Sequence, residues 1–167
     1  KNADHQTELA YALTDLAKLR MEQNRRDEAD DLLTRAVGLQ KSAAALNPRA
    51  NAMKAMLQAQ LKSLAENQVA LGKHSEAAKT TEEFVKAVPN ASGIRKEAAV
   101  LLAKCVSLGE KDQKLPVDRR TAVAAGYADR AISLLRDAVD RGELTPDAIR
   151  ADGTFAPLQT RDAYKTL

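Results

Sequence analysis

The stretch ELAYALTDLAKLRMEQNRRDEADDLLTRAVGL, residues 8–39, holds two apolar stripes at helical spacing joined by a charged turn. Leu9, Leu13, Leu16, Ala17 and Met21 recur every three or four positions, which sets them on one side of a helix whose remaining surface is polar. Asn24-Arg25-Arg26-Asp27 interrupts the stripe. Asp27, a short acceptor side chain, is expected to cap a second helix carrying Ala29, Leu32, Leu33, Ala36, Val37 and Leu39. Asn47-Pro48 ends that helix, because the residue before a proline avoids the α region while proline suits the first turn of the next helix. The unit is a helical hairpin.

The hairpin recurs. Shifting the sequence by 48 positions superimposes Leu9 on Leu57, Leu13 on Leu61, Leu16-Ala17 on Leu64-Ala65, Glu28-Ala29 on Glu76-Ala77 and Val37 on Val85. A third copy of the second helix lies in Leu134-Leu135-Arg136-Asp137-Ala138-Val139, with Ala131 answering Ala29. Its partner is expected from about Ile94 to Leu108, and the polar join from Gly109 to Arg119 reads as an inserted loop. One helix pair cannot bury its apolar face alone, so such a period predicts stacked hairpins, an α-solenoid. The chain then divides into repeats over residues 1–47, 48–91 and 92–142, the third holding a loop at 109–119, and a closing segment at 143–167, all in one domain.

Composition agrees with an all-α fold. Three Tyr, two Phe and no Trp leave the core to Ala, Leu and Val, and the five Pro and seven Gly fall mostly between the periodic stretches. With 26 basic and 23 acidic residues the net charge is only +3, spread without a dense basic block. Few aromatics are present to stack on bases, which argues against nucleic acid as the ligand class. No stretch of about 18 apolar residues occurs, so no membrane insertion by this chain is expected, and no signal peptide is legible. The chain begins at Lys1 within a helical pattern and is expected to be part of something longer, most simply cytoplasmic, or held outside the cytoplasm by a membrane span of its parent.

These residues resemble the tetratricopeptide repeat (TPR). Leu13, Leu16, Ala17, Ala29 and Leu33 fit a first repeat, and Leu61, Leu64, Ala65, Ala77 and Pro89 a second. Ala99, Leu102, Ala103, Ala131, Leu135 and Ala138 fit a third. The resemblance implies a right-handed solenoid in which Ala17, Ala65, Ala103, Ala29, Ala77 and Ala131 sit where paired helices touch. This chain departs from the pattern in having alanine for glycine, no large aromatic at the expected places, Thr81 where a bulky residue belongs, and a long first repeat.

From Tyr127 onward the sequence also resembles the C-terminal segment of TPR regions attached to bacterial eukaryotic-like serine/threonine protein kinases. The features are Leu134-Leu135 with Ala138-Val139, a turn at Gly142, a short helix ending at Asp152, then Phe155 with Leu158 and Tyr164 with Leu167; Gly153 departs from the usual Asp-Pro. The likeness covers roughly residues 95–167. Ile149, Phe155, Leu158 and Tyr164 would then close the apolar face of the last helix.

Catalytic signatures are missing from the sequence. There is no kinase Gly-rich loop, His-Arg-Asp or Asp-Phe-Gly. Leu71-Gly72-Lys73 ends a helix, with Asn67 where a phosphate loop would need its first glycine. His5 and His74 stand far apart with no companion at metal-ligand spacing and read as surface residues. Cys105 lies in an apolar run and reads as packed, and Glu82-Glu83 and Asp30-Asp31 read as solvated charge. No cofactor is expected.

The expected function is therefore non-catalytic protein interaction. In TPR domains the first helices line a concave groove, and the resemblance puts Tyr11, Thr14, Lys18 and Glu22 on it from the first repeat, Lys62, Glu66 and Val69 from the second, and Glu97 and Lys104 from the third. The lysines could favour an acidic ligand. A protein or peptide, or a second copy in self-association, is the expected partner; a regulatory sensor taking a small molecule or signal peptide is the alternative.

Overall fold

The computed structural model describes residues 2–167, and these form helices with no strand among them. Helices α1 (Ala3–Glu22) and α2 (Arg26–Leu46) pair as a hairpin, as do α3 (Asn51–Ala70) with α4 (His74–Ala87) and α5 (Ile94–Lys111) with α6 (Val117–Asp140). Consecutive hairpins stack through α2 on α3 and α4 on α5, while α3 also touches α1 and α5. The odd-numbered helices thus form one layer and the even-numbered ones the other.

The turns repeat as the sequence does. Asn24 and Gly72, equivalent under the internal shift, both adopt a left-handed backbone (φ 59° and 73°), and Gly142 after α6 does the same (φ 68°). Each allows the next residue to close the helix end. The N–H of Arg25 donates to Arg20 C=O (2.8 Å), Lys73 to Gln68 (2.9 Å) and Glu143 to Ala138 (2.9 Å). A side chain with a branched β-carbon would be strained in this conformation.

Close approach of the paired helices depends on alanine. Ala17, Ala65, Ala103, Ala29, Ala77 and Ala131 are all 0% exposed. Gly109 serves the same end in the third hairpin, where a β-carbon would lie 3.4 Å from the Tyr127 ring. Around these contacts Leu33, Val37, Leu61, Leu64 and Phe84 build the core of the first two hairpins, and Leu102, Val106, Ile132 and Leu135 that of the third.

Several expectations are corrected. Asp27 does not cap α2: the helix starts at Arg26, and Asp27 sits in its first turn, where a carboxylate favours the positive helix end. The inserted loop shrinks from 109–119 to the five residues 112–116, because Gly109–Lys111 continue α5 and 117–119 open α6. Leu9 and Leu16, read as part of a buried stripe, are 48% and 37% exposed; Ala10, Leu13, Thr14 and Ala17 make the buried face of α1 instead.

The closing segment folds as α7 (Pro146–Ala151), a 3-10 turn (Gly153–Leu158) and α8 (Asp162–Lys165). Thr145 accepts from Ala148 N–H at the start of α7 (3.2 Å), and Asp152 accepts from Thr154 N–H (3.1 Å). Ile149, Phe155, Leu158 and Tyr164 are each no more than 4% exposed and share one core with α5 and α6. Tyr164 buries its ring and donates its hydroxyl to Ile149 C=O (3.1 Å).

Candidate functional site

Four of the nine residues expected to form a groove come together. Lys62 and Glu66 of α3 and Glu97 and Lys104 of α5 line a cleft of about 160 Å³ on the odd-helix face, with Lys96, Val100 and Leu101. The Lys62 ammonium lies 2.9 Å from the Glu97 carboxylate, so the two helices are tied across the cleft by an exposed pair. Lys96 leans the other way, to Asp152 of the closing segment (2.9 Å). The cleft therefore presents alternating charge over an apolar floor at Leu101.

The other five lie apart from it. Tyr11, Lys18 and Glu22 are exposed on α1, Lys18 pairing with Asp15 of its own helix (3.0 Å). Thr14 is not on the surface: it is 6% exposed, donates to Ala10 C=O (2.7 Å) and accepts from Gln60 Nε2 (3.0 Å), so it joins α1 to α3. A hydroxyl that satisfies itself within its own helix can be buried at little penalty. Val69 packs against the core of the third hairpin.

Two more surface readings are corrected. His74 is 7% exposed; its Nδ1 lies 2.9 Å from the Tyr127 hydroxyl and its Nε2 3.1 Å from Asp112. That chain of imidazole, phenol and carboxylate links the start of α4 to α6 and to the 112–116 connection. The hydrogen bond from His74 holds the Asp112 carboxyl below its usual range, while burial raises the Tyr127 phenol, which stays protonated near neutral pH. Asp30 is likewise buried and accepts from Lys73 (2.7 Å), raising that lysine's pKa. His5 is exposed and Cys105 is sealed, its thiol pushed up to about 12 by burial.

Sequence reading missed the most heavily bonded side chain. Arg95, 4% exposed, pairs with Asp137 and Glu143 and donates to Pro89 C=O (3.0 Å). It binds the loop before α5 to the end of α6 and the turn beyond it. In the sequence it stands in Ile94-Arg95-Lys96-Glu97, and nothing there sets it apart from its charged neighbours.

The even-helix face carries its own clefts. One of about 340 Å³ between α4 and α6 is floored by Val85, Leu102 and Leu134 and rimmed by Glu82, Lys86 and Arg130, with Arg130 and Glu82 paired across it. Another of about 410 Å³ lies between α2 and α4, bridged by Lys41 and Glu83 (2.6 Å). Among the described residues no group of three or more His, Cys, Asp and Glu could hold a metal ion, and no helix is long and apolar enough to cross a membrane. Searches against protein-family models, curated proteins and solved structures found no match.

Proposed function

We propose that this chain is a TPR-like right-handed α-solenoid of three hairpins with a capping segment, and that it works as a non-catalytic protein interaction module. A peptide or helix would lie in the concave groove along α1, α3 and α5. The observation that carries this is the α3–α5 cleft, where Lys62, Glu66, Glu97 and Lys104 converge over Leu101. Alternating charge around an apolar floor suits an extended or helical ligand with both polar and apolar side chains. The likeness of residues 95–167 to the TPR regions of eukaryotic-like serine/threonine kinases supports a place in the C-terminal region of such a kinase, binding its substrates, its partners or a second copy.

The test is affinity capture with the wild-type chain beside a charge-swapped variant, K62E/E66K/E97K/K104E, which keeps the Lys62–Glu97 pair but inverts its sense. Partners held by the wild type and released by the swap support the groove; an unchanged set rejects it. The α4–α6 cleft favours a second reading, a regulatory sensor for a small molecule with an apolar body and an anionic group facing Arg130 and Lys86. A melting shift with a metabolite library that Leu134→Trp abolishes would support that reading instead.

A further inference from the structure

The face of α1 bearing Leu9, Ala12, Leu16 and Leu19 is bare: the three leucines are 48%, 37% and 52% exposed, and Ala12 is exposed with them. The internal repeat shows what such a face does elsewhere in the molecule. Aligning Ala17 with Ala65 and Ala103 places these four positions on Leu57, Gln60, Leu64 and Asn67 of α3, and on Arg95, Ala98, Leu102 and Cys105 of α5. All eight are buried except Leu57, which is half-buried. Their cover includes the second helix of the preceding hairpin. Leu64 shares a core with Leu33 and Val37 of α2, Asn67 exchanges hydrogen bonds with Arg26 of α2, and Ala98 shares a core with Phe84 of α4. Among the described residues the α1 face therefore has the register of a helix seat and nothing on it.

Charge narrows the occupant. Glu8, Asp15 and Glu22 run along one edge of the stripe, all exposed. The equivalent positions are Met56, Ser63 and Ala70 in α3 and Ile94, Leu101 and Leu108 in α5, none of them charged, with Ile94 and Leu101 buried and Leu101 facing α3 at the cleft. Another hairpin stacked as inside the molecule would lay its first helix over this edge and cover three carboxylates, of which, among the described residues, Asp15 alone has a partner, in the ion pair with Lys18 (3.0 Å). A second copy docked antiparallel through the same stripe would set acid edge against acid edge. Head-to-tail stacking of copies is blocked as well, because the opposite end of the molecule is occupied by the closing segment.

We infer that this face of α1 docks a single amphipathic helix of a partner protein, one with Ala, Leu or Val along its stripe and Lys or Arg along one edge. This surface is separate from the α3–α5 cleft. The probe is a fluorescein-labelled synthetic helix carrying the apolar stripe of α2 with Lys at the edge positions, beside a twin with Glu there. Fluorescence anisotropy at low salt should show the Lys peptide binding at least ~10-fold tighter than the twin. L9E/L16E should remove that binding while leaving the circular-dichroism melt unchanged. E8K/D15K/E22K should reverse the order of the two peptides, and K62E/E97K should change nothing.

Equal binding of the two peptides, binding that survives L9E/L16E, or no binding of either would overturn the inference. So would sedimentation equilibrium showing a dimer that L9E/L16E dissociates, since a second copy would then be the occupant.

Discussion

The first and last hairpins among the described residues are built alike, and their outer faces differ in what covers them. At the C-terminal end, Ile149, Phe155, Leu158 and Tyr164 are folded over α5 and α6 and almost fully buried. At the other end, α1 turns Leu9, Leu16 and Leu19 to solvent beside a row of acids. Within a stack, a helix face is apolar because a neighbour covers it, and a terminal face must be covered by something else or made polar. The C-terminal face has its cover in the chain itself. The α1 face is apolar in the middle and charged at one edge, the pattern that the proposed docked helix requires.

The sharpest way to break the comparison is to remove one side chain from each end. Phe155→Ala should cost about 3–5 kcal/mol, because a fully buried ring is lost and the surrounding core cannot collapse around the gap. Leu19→Ala, a comparable truncation at the exposed end, should stay within about 0.5 kcal/mol. Urea unfolding of the two variants decides it. Equal losses would mean that the closing segment is not part of the cooperative fold, or that α1's stripe is covered in solution.

Next in size is Arg95, which anchors the capped end from inside. Arg95→Met keeps the stem but leaves Glu143 and Pro89 C=O without their donor, for an expected loss of about 2–3 kcal/mol by the same unfolding measurement. A neutral result would mean that Glu143 and the Pro89 carbonyl find water instead.

A smaller effect links the cap to pH. Hydrogen bonds from Thr154 and Lys96 hold the Asp152 carboxyl down to about 2. Since the folded pKa lies below the unfolded one, the contribution is fully present above about pH 4 and is lost as pH falls toward 2. Asp152→Asn should lower stability by about 0.5–1 kcal/mol at pH 7 and flatten the fall between pH 4 and 2, read from melting temperatures across that range. An undiminished acid slope would assign the effect to Asp137 at Arg95, whose carboxyl is also held low.

The hairpins were legible in the sequence because their spacing is local: three- and four-residue periods, a left-handed turn residue and a proline need no partner to be read. His74, Asp30 and Thr14 were misread for the opposite reason. Each is buried by a group far along the chain, His74 by Tyr127 and Asp112, Asp30 by Lys73, and Thr14 by Gln60. Nothing in their immediate neighbours announces that pairing. Leu9 and Leu16 failed differently, since they superimpose on Leu57 and Leu64, which the stack does cover. Periodicity reports that a face is made for a neighbour; only the fold reports whether the neighbour is there. Of the expected groove residues, Lys62, Glu66, Glu97 and Lys104 line one cleft, because equivalent register on neighbouring helices is local information, whereas the burial of Thr14 against Gln60 is not.

The smallest expected effect tests the bare end most directly. L9E/L16E adds two carboxylates to a helix edge that already carries Glu8, Asp15 and Glu22, so some repulsion arises, but both positions are open to water and screened. Stability should change by less than about 0.5 kcal/mol in the isolated chain at physiological salt. If the loss instead approached that of Phe155→Ala, the stripe would be buried in solution, and the two ends would differ only in whether the cover is part of the same chain.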